Sequence, residues 1–262
     1  MRKISCLLTT TVLISSYSFV THAENITLRA DTWCPYNCEP KDARPGYMIE
    51  IAKAALEPAG HKVEYETLNW ARAIADSRAG KFSGIVGAAK SDAPDFIFPE
   101  TSLGTSKNCF FAKADATWSF KDKSSLETAS IGVIKDYTYG DEVDDYIKSN
   151  AKNAKNAKKV DVVSGDNPLE LNIKKVQMGR VTSLLESEAV LKNYMYVNKL
   201  ADSSFKNAGC LKDSDDLFIA FSPKHPKAKE FAKLVGDKVV AMRKDGSLKK
   251  MLEQYGINDW GK

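Results

Sequence analysis

Histidine is scarce in this chain of 262 residues, which contains only three. Beyond the first 23 residues only His61 and His225 remain, and no Cys-x-x-Cys segment is present. A zinc site therefore has few ligands to draw on, and a Ser-His-Asp arrangement has few options for its histidine. The sequence also lacks Gly-x-Ser-x-Gly, His-Glu-x-x-His, a phosphate loop and Gly-x-Gly-x-x-Gly. We therefore expect no metal, no cofactor and no enzymatic activity.

The chain has no large excess of either charge. Its net charge is +4, and Arg2 and Lys3 supply two of these charges in a segment, 1–23, that has no acidic residue. Removal of that segment would leave a net charge of +2. Because no basic stripe interleaved with aromatic residues is present either, we expect no nucleic-acid partner.

Long apolar runs are also scarce, and the longest apolar stretch lies near the N-terminus. Arg2 and Lys3 precede an apolar stretch at 7–20, and Thr21-His22-Ala23 follows it. This order is typical of a secretory signal peptide with a small residue at the cleavage site. The stretch is shorter than the roughly 20 residues that a membrane-spanning helix needs. We predict a signal peptide at 1–23, cleavage after Ala23, and a protein exported to the periplasm.

Export to an oxidising compartment makes the remaining cysteines candidates for disulfides. Cys34, Cys38, Cys109 and Cys210 form an even set that allows three pairings. A local bridge between Cys34 and Cys38 is plausible, because only Pro-Tyr-Asn separates them. Cys109 and Cys210 each lie beside an apolar, strand-like run and could join neighbouring strands. A metal site is the competing interpretation, but it has few further ligands to draw on.

Short β-branched runs alternate with segments of helical periodicity. The runs at 26–31, 63–68 and 85–86 predict strands, with helices at 47–56 and from residue 70 to about 80. A second alternating series starts at Ile131 and continues through runs at 160–163 and 181–185, and helices close the chain. This order predicts parallel α/β sheets with ligands at the C-terminal ends of the strands. Two consecutive series favour two lobes over one large sheet.

The segment 131–143 carries the start of the second series. The predicted strand at 131–134 runs through Tyr137, Thr138 and Tyr139 into a helix. Unpaired N–H groups at a helix N-terminus favour an anion. An ordinary turn with Thr138 as the helix N-cap is the alternative.

Several short motifs in this order are those of a known family. They are Trp33-x-Pro-Tyr36, 46–51 (Gly-Tyr-Met-Ile-Glu-Ile), Trp70 with Gly80-Lys81, Phe98-Pro99, 131–134 (Ile-Gly-Val-Ile), Gly179-Arg180, and the closing 245–248 (Asp-Gly-Ser-Leu) and 254–256 (Gln-Tyr-Gly). The chain resembles bacterial periplasmic solute-binding proteins of family 3, the polar amino acid binders of ABC transporters. The resemblance implies a two-lobed periplasmic binding protein fold (type II), an α/β fold with two hinge strands and a mainly parallel sheet flanked by helices in each lobe. Lobe I would comprise 24–106 plus 219–262, and lobe II would comprise 107–218.

The resemblance also implies which residues face the ligand. Asp31, Trp33 and Tyr36 fall on the first-lobe loop at the cleft, and Trp70 falls where relatives place an aromatic over the ligand. Arg72 either turns toward the cleft or lies on the helix surface. In the second lobe, Tyr137, Thr138 and Tyr139 match the segment that holds the ligand carboxylate in relatives.

Two departures from the family pattern concern the usual amino acid clamp. Relatives hold the α-carboxylate with an arginine after the third strand, whereas 87–95 contains only Lys90 as a cation. The acid that receives the α-ammonium falls on Ser187, and Glu186 or Glu188 would replace it only with a shift of one residue. Such a shift along a strand reverses the direction of the side chain. We therefore expect a small polar or anionic ligand, an amino acid or a derivative, that is not bound in the usual way.

The resemblance implies a monomeric, non-catalytic receptor that closes on its ligand by a hinge motion and docks on an inner-membrane ABC permease. Two alternatives remain open. One is a sensory binder without its own permease. The other is a dehydratase-like periplasmic enzyme on the same fold, in which Glu186 or Glu188 acts as a general acid if burial raises its pKa.

Overall fold

The computed structural model describes residues 23–135, 137–151, 159–164 and 167–261. The predicted signal peptide falls outside these residues except for Ala23, and so does most of the lysine-rich stretch at 151–159. Within the described ranges, no helix is both long and apolar enough to cross a membrane. The chain forms two five-stranded sheets flanked by helices, as the two alternating series predict.

The first lobe combines the N-terminal third of the chain with its C-terminal end. Its strands are β1 (Asn25–Ala30), β2 (Lys62–Thr67), β3 (Gly84–Ala88), β4 (Gly104–Ser106) and β10 (Asp215–Phe221). Its helices are α1 (Tyr47–Leu56), α2 (Trp70–Arg78), α6 (Ala228–Asp245) and α7 (Ser247–Glu253). The predicted stripe of α1, which includes Met48 and Ile51, is buried, and the Asn69 side chain caps α2 by accepting a hydrogen bond from the N–H of Arg72 at 3.3 Å.

The second lobe uses the middle of the chain. Its strands are β5 (Asn108–Lys113), β6 (Ile131–Ile134), β7 (Val160–Val163), β8 (Ser183–Ser187) and β9 (Phe205–Cys210). Its helices are α3 (Asp141–Ala151), α4 (Pro168–Gln177) and α5 (Glu188–Val197), with short 3₁₀ segments at Lys123–Thr128 and Asp202–Ser204. The sequence interpretation missed β4, β9 and α5.

The two sheets repeat one plan. The strand orders are β2-β1-β3-β10-β4 and β7-β6-β8-β5-β9, and the first three strands of each sheet are parallel. In each sheet the fourth strand, β10 or β5, runs antiparallel to both of its neighbours. The sheets are therefore more mixed than the expected mainly parallel arrangement. The parallel strands point their C-terminal ends toward the gap between the lobes.

Two connections join the lobes. One passes through Lys107, between β4 and β5, and the other runs through 211–214, between β9 and β10. We expected the second crossing at 218–219, but Asp215, Asp216 and Leu217 already pair with β4 in the first sheet. This backbone pairing moves the crossing four residues toward the N-terminus.

The sequence left the cysteine pairing open, and the structure contains the local bridge and the bridge between strands. Cys34 is bonded to Cys38, and Cys109 to Cys210. The first bridge closes the loop after β1, and the second joins partner positions on the antiparallel strands β5 and β9. The cysteines thus act as structural cross-links, and the described residues contain no group of three or more His, Cys, Asp or Glu side chains placed to hold a metal.

The two bridges should contribute unequally to stability. Cys109 and Cys210 are separated by 101 residues, whereas Cys34 and Cys38 are separated by four. From the lost loop entropy of the unfolded chain, we expect the double variant Cys109→Ser/Cys210→Ser to lose about 4–5 kcal/mol and Cys34→Ser/Cys38→Ser about 2 kcal/mol. Urea unfolding of both variants measures the difference, and equal losses would contradict the loop-length argument.

Candidate ligand site between the lobes

A small cavity lies between the lobes at the C-terminal ends of the parallel strands. We call it the cleft cavity, and its volume is about 90 Å³. Residues from both lobes line it: Asp31, Trp33, Trp70, Val86, Gly87, Ala89, Ser91, Asp92, Ser106, Asn108, Tyr137, Thr138, Tyr139, Glu186, Asp215 and Leu217. Seven of the predicted site residues are among them, namely Asp31, Trp33, Trp70, Tyr137, Thr138, Tyr139 and Glu186.

A hydrogen bond between Asp31 and Tyr137 closes the cleft cavity from lobe to lobe. The Tyr137 hydroxyl donates to Asp31 Oδ2 at 3.2 Å, and the ring of Tyr137 meets that of Trp33 edge-on at 6.4 Å between centroids. Burial raises the pKa of the Asp31 carboxyl, and the hydrogen bond from Tyr137 offsets part of that rise. Asp31 and Tyr137 therefore form a hydrogen bond that joins the two lobes across the gap.

Glu186, at the end of β8, is the most deeply buried acid of the cleft cavity, with 2% of its surface exposed. Burial raises the pKa of its carboxyl to about 7, although the N–H of Ser187 donates to Oε1 at 2.7 Å and opposes the rise. The indole N–H of Trp33 lies near the carboxylate and also lowers this pKa, but without the geometry of a hydrogen bond. Among the described residues, neither Glu186 Oε2 nor Trp33 Nε1 has a hydrogen-bond partner. Both atoms are therefore buried and unsatisfied in this conformation.

The cleft cavity is acidic. Asp92 and Asp215 add two carboxyl groups to those of Asp31 and Glu186, and burial raises the pKa of both. Asp92 Oδ2 also accepts a hydrogen bond from the N–H of Ala89 at 2.8 Å. No lysine, arginine or histidine occurs among the described residues that line this cavity. The lining complements a positive group and repels a negative one.

Near the start of α3, where the sequence suggested an anion site, a carboxylate of the chain itself accepts hydrogen bonds from the backbone. The backbone N–H groups of Tyr139 and Gly140 donate to the two carboxylate oxygens of Asp144, at 3.0 and 3.3 Å. This buried carboxylate, one turn into the helix, thus takes two backbone donors near the helix start. Thr138 lies exposed at the cavity wall.

Both candidate cations, Arg72 and Lys90, lie outside the cavity lining. The Arg72 guanidinium is on the surface of α2, where its Nε lies 3.4 Å from Asp76 Oδ2 and 70% of the side chain is exposed. Lys90 is exposed as well, and its ammonium lies 5.2 Å from the centroid of the Phe218 ring. Neither replaces the carboxylate-binding arginine of the family pattern in this conformation.

Tyr36 and Ser187 contact each other and do not line the cleft cavity. Their hydroxyl groups lie 3.0 Å apart in a buried contact between the lobes, and Tyr36 also donates to the carbonyl of Thr105 at 2.7 Å. Glu188 is already in the first turn of α5, where it pairs with Lys192 at 3.0 Å. Of Glu186, Ser187 and Glu188, which lie at or beside the family's acid position, only Glu186 lines the cleft cavity.

Sequence reasoning missed part of the lining. Asp92 follows β3, Ser106 and Asn108 flank the first crossing, and Asp215 begins β10. Asp92 and Asp215 had a usable signal, because each is an acid next to a predicted strand end in a protein whose ligand should bind at strand ends. Nothing local indicated that these acids would converge.

Comparison with solved structures identifies the same architecture in proteins of low identity. An ancestral arginine-binding protein bound to arginine superposes with a TM-score of 0.65 at 20% identity, covering 88% of this chain and 97% of that one. An amino acid ABC transporter substrate-binding protein from Streptococcus pneumoniae, bound to L-arginine, gives 0.64 at 18% identity, covering 88% and 94%. A histidine kinase sensor domain with similarity to periplasmic binding proteins gives 0.64 at 16% identity, covering 88% and 95%. These likenesses establish the two-lobed periplasmic binding protein fold.

No protein of curated function matches the chain in sequence. The family described as bacterial extracellular solute-binding proteins, family 3, matches residues 27–258, which is nearly the whole described chain. Together with the two similar lobes and the cavity at their strand ends, this match confirms the resemblance of the short motifs. The chain belongs to family 3 of the bacterial extracellular solute-binding proteins.

Proposed function

We propose that this protein captures a small organic cation, an amino acid derivative with an ammonium or guanidinium group, and delivers it for ABC-type import from the periplasm. The observation that carries the proposal is the lining of the cleft cavity, with four carboxyl groups and no basic residue among those described. A cation there gains the attraction of Asp31 and Glu186 and the faces of Trp33 and Trp70. The sequence led us to expect a small polar or anionic ligand. We keep the expectation of a small polar ligand and propose a cation instead of an anion.

Closure of the lobes supplies the mechanism. Asp31, Trp33 and Trp70 belong to lobe I, whereas Tyr137 and Glu186 belong to lobe II. A cation between Asp31 and Glu186 interacts with both lobes at once and thereby favours the closed form. The closed, loaded protein, acting as a monomer, would then present one continuous surface to an inner-membrane permease.

The two alternative functions receive less support. Likeness to a sensor domain speaks only for the fold, because the identity is 16%. For an enzyme, the raised pKa of Glu186 fits a general acid. A substrate with carboxylate groups, however, would have to enter a cavity lined by four acids, and Asp31 would repel it. A receptor for a cation uses the same acids without that penalty.

Agmatine and arginine test the proposal, because they share the guanidinium and differ by the α-carboxylate. We expect agmatine to bind at least about tenfold more tightly, since arginine would bring an unpaired carboxylate next to Asp31 and Glu186. The double variant Asp31→Asn/Glu186→Gln should lose about 100-fold in agmatine affinity, within the 2–5 kcal/mol range for a buried charge pair. Isothermal titration calorimetry measures both.

A charge-matched control separates the site from general electrostatics. The variant Asp237→Asn/Glu188→Gln also removes two negative charges, but outside the cleft cavity. Asp237 pairs with Lys233 and Glu188 pairs with Lys192, each on the surface of a helix. We expect it to bind agmatine like the unaltered protein. Tight binding of arginine or of a dicarboxylate, unaffected by Asp31→Asn/Glu186→Gln, would refute a cation receptor.

A further inference from the structure

The cleft cavity is too small for most ligands of the expected class. Its volume is about 90 Å³, whereas a cavity of roughly 150 Å³ is the kind that accommodates one benzene ring. The closed cleft therefore accepts a charged head group of a few heavy atoms. The rest of a larger ligand needs space elsewhere.

A second and larger space adjoins the cleft cavity. We call it the side chamber. It has a volume of about 600 Å³ and lies between the loop 38–44 of lobe I and the helices α4 and α5 of lobe II. Trp33, Tyr137 and Glu186 line both spaces. Apart from this shared wall, most of the chamber's surface is apolar, with Ile134, Leu169, Val190 and Val197 in the lining. Three charged residues also border it, namely Asp42, Arg44 and Glu170.

The shared wall holds two polar atoms without partners. Glu186 Oε2 and Trp33 Nε1 are buried and, within the described part of the chain, accept or donate no hydrogen bond. Leaving such atoms unpaired is costly, so a ligand that reaches them gains affinity. Their position places one polar group of the ligand at the boundary, with apolar surface beyond it.

We propose that the side chamber binds the apolar tail of the ligand, whose cationic head lies between Asp31 and Glu186. The ligand class is then an amine or guanidine carrying an alkyl or aryl tail. The proposal rests on the proposed function for the head group. A volume of 600 Å³ lies within the usual range of small-molecule sites, and an apolar lining rewards a tail by about fourfold in affinity per buried methylene.

The test measures the affinities of ethylamine, butylamine and hexylamine, with 1-hexanol as the neutral counterpart. Hexylamine has four more methylenes than ethylamine, so we expect it to bind about 250-fold more tightly. The variants Leu169→Trp and Ala43→Trp fill the chamber from opposite lobes, and Ala43 is exposed, so its replacement leaves the fold intact. Both should abolish the gain from the tail while ethylamine affinity stays unchanged. Leu171→Trp is the control, because Leu171 lies on the same helix, 42% exposed, and does not line the chamber.

Each outcome decides between the two proposals. Equal affinities along the amine series, or a tail gain that survives in both filling variants, overturns the side chamber and leaves the cation receptor standing. Hexanol binding as tightly as hexylamine, and abolished by filling, supports the chamber and overturns the cation receptor. If no compound of the series binds, the side chamber is overturned, and the agmatine titration decides separately whether the cation receptor stands.

Discussion

Affinity for a guanidinium ligand should fall steeply below pH 7. The pKa of Glu186 is raised to about 7 by burial, so its carboxyl is increasingly protonated as the pH drops. The guanidinium of agmatine stays charged throughout, and only ionised Glu186 attracts it. We expect a plateau above pH 8 and a loss of about tenfold per pH unit below 7, which amounts to about 100-fold at pH 5. Titration calorimetry between pH 5 and 9 gives the profile.

Two variants assign the profile to its source. Glu186→Gln removes the titrating group and should bind weakly at every pH, with a flat profile between pH 5.5 and 9. Glu188→Gln is the matched control, since Glu188 pairs with Lys192 on α5, and it should keep the steep profile. A steep profile in Glu186→Gln would assign the titration to another acid, with Asp31 as the first candidate because burial raises its pKa as well.

The same pKa implies an opposite trend for the stability of the ligand-free protein. Between pH 4.5 and 7 the folded protein holds a proton on Glu186 that the unfolded chain releases, so the free energy of unfolding falls as the pH rises through this window. The loss from Glu186 amounts to about 3 kcal/mol and ends above pH 7. Urea unfolding should show the slope in the unaltered protein and lose most of it in Glu186→Gln.

Replacement of Gly46 by alanine should be the most damaging single glycine substitution of lobe I. Gly46 precedes α1 with a φ of +108°, and a Cβ there would lie 2.5 Å from both Asn37 Cα and the carbonyl oxygen of Tyr36. The clash pushes on the loop that carries Trp33. Backbone strain of about 1–2 kcal/mol adds to overpacking of about 1–3 kcal/mol, so we expect a loss of about 2–5 kcal/mol in unfolding free energy and weaker ligand binding.

Gly60→Ala provides the comparison. Gly60 also has a positive φ, +92°, but no atom of the described residues lies within 4 Å of the place where a Cβ would be. Strain alone should cost about 1–2 kcal/mol there, and ligand affinity should be unchanged because the loop at Trp33 is not touched. Equal effects of the two variants in urea unfolding would show that the contact with the loop is unimportant.

The order of elements could be predicted from sequence because it depends on local properties. The β-branched runs at β1, β2 and β6 and the apolar stripe of α1 each show their own period. The missed strands have weak local signals: β4 is the three residues Gly-Thr-Ser, and pairing with β10 alone makes it a strand. Helix α5 was missed, although its sequence contains an apolar stripe that includes Val190, Leu191 and Met195.

The walls of the site were partly predictable for a related reason. Asp31, Trp33, Trp70 and Tyr137 follow predicted strand ends, and parallel strands bring these ends together. Whether they touch a ligand stays a prediction. The facing of Glu186 was not predictable, because a shift of one residue along β8 decides between it and Ser187. That register depends on pairing with β5, where Glu186 lies opposite Cys109.

By itself, the sequence determined the alternation of strands and helices, the four cysteines available for cross-linking and the family motifs. Only the tertiary structure decided the charge of the cleft cavity. Asp144 accepts two backbone hydrogen bonds near the helix start where the pattern indicated an anion, and Arg72 and Lys90 lie outside the cavity lining. Asp31, Asp92, Glu186 and Asp215 come from distant parts of the chain. Their approach to one another, and the burial of Glu186, exist only once the two lobes face each other, and these long-range effects support the proposed preference for a cation.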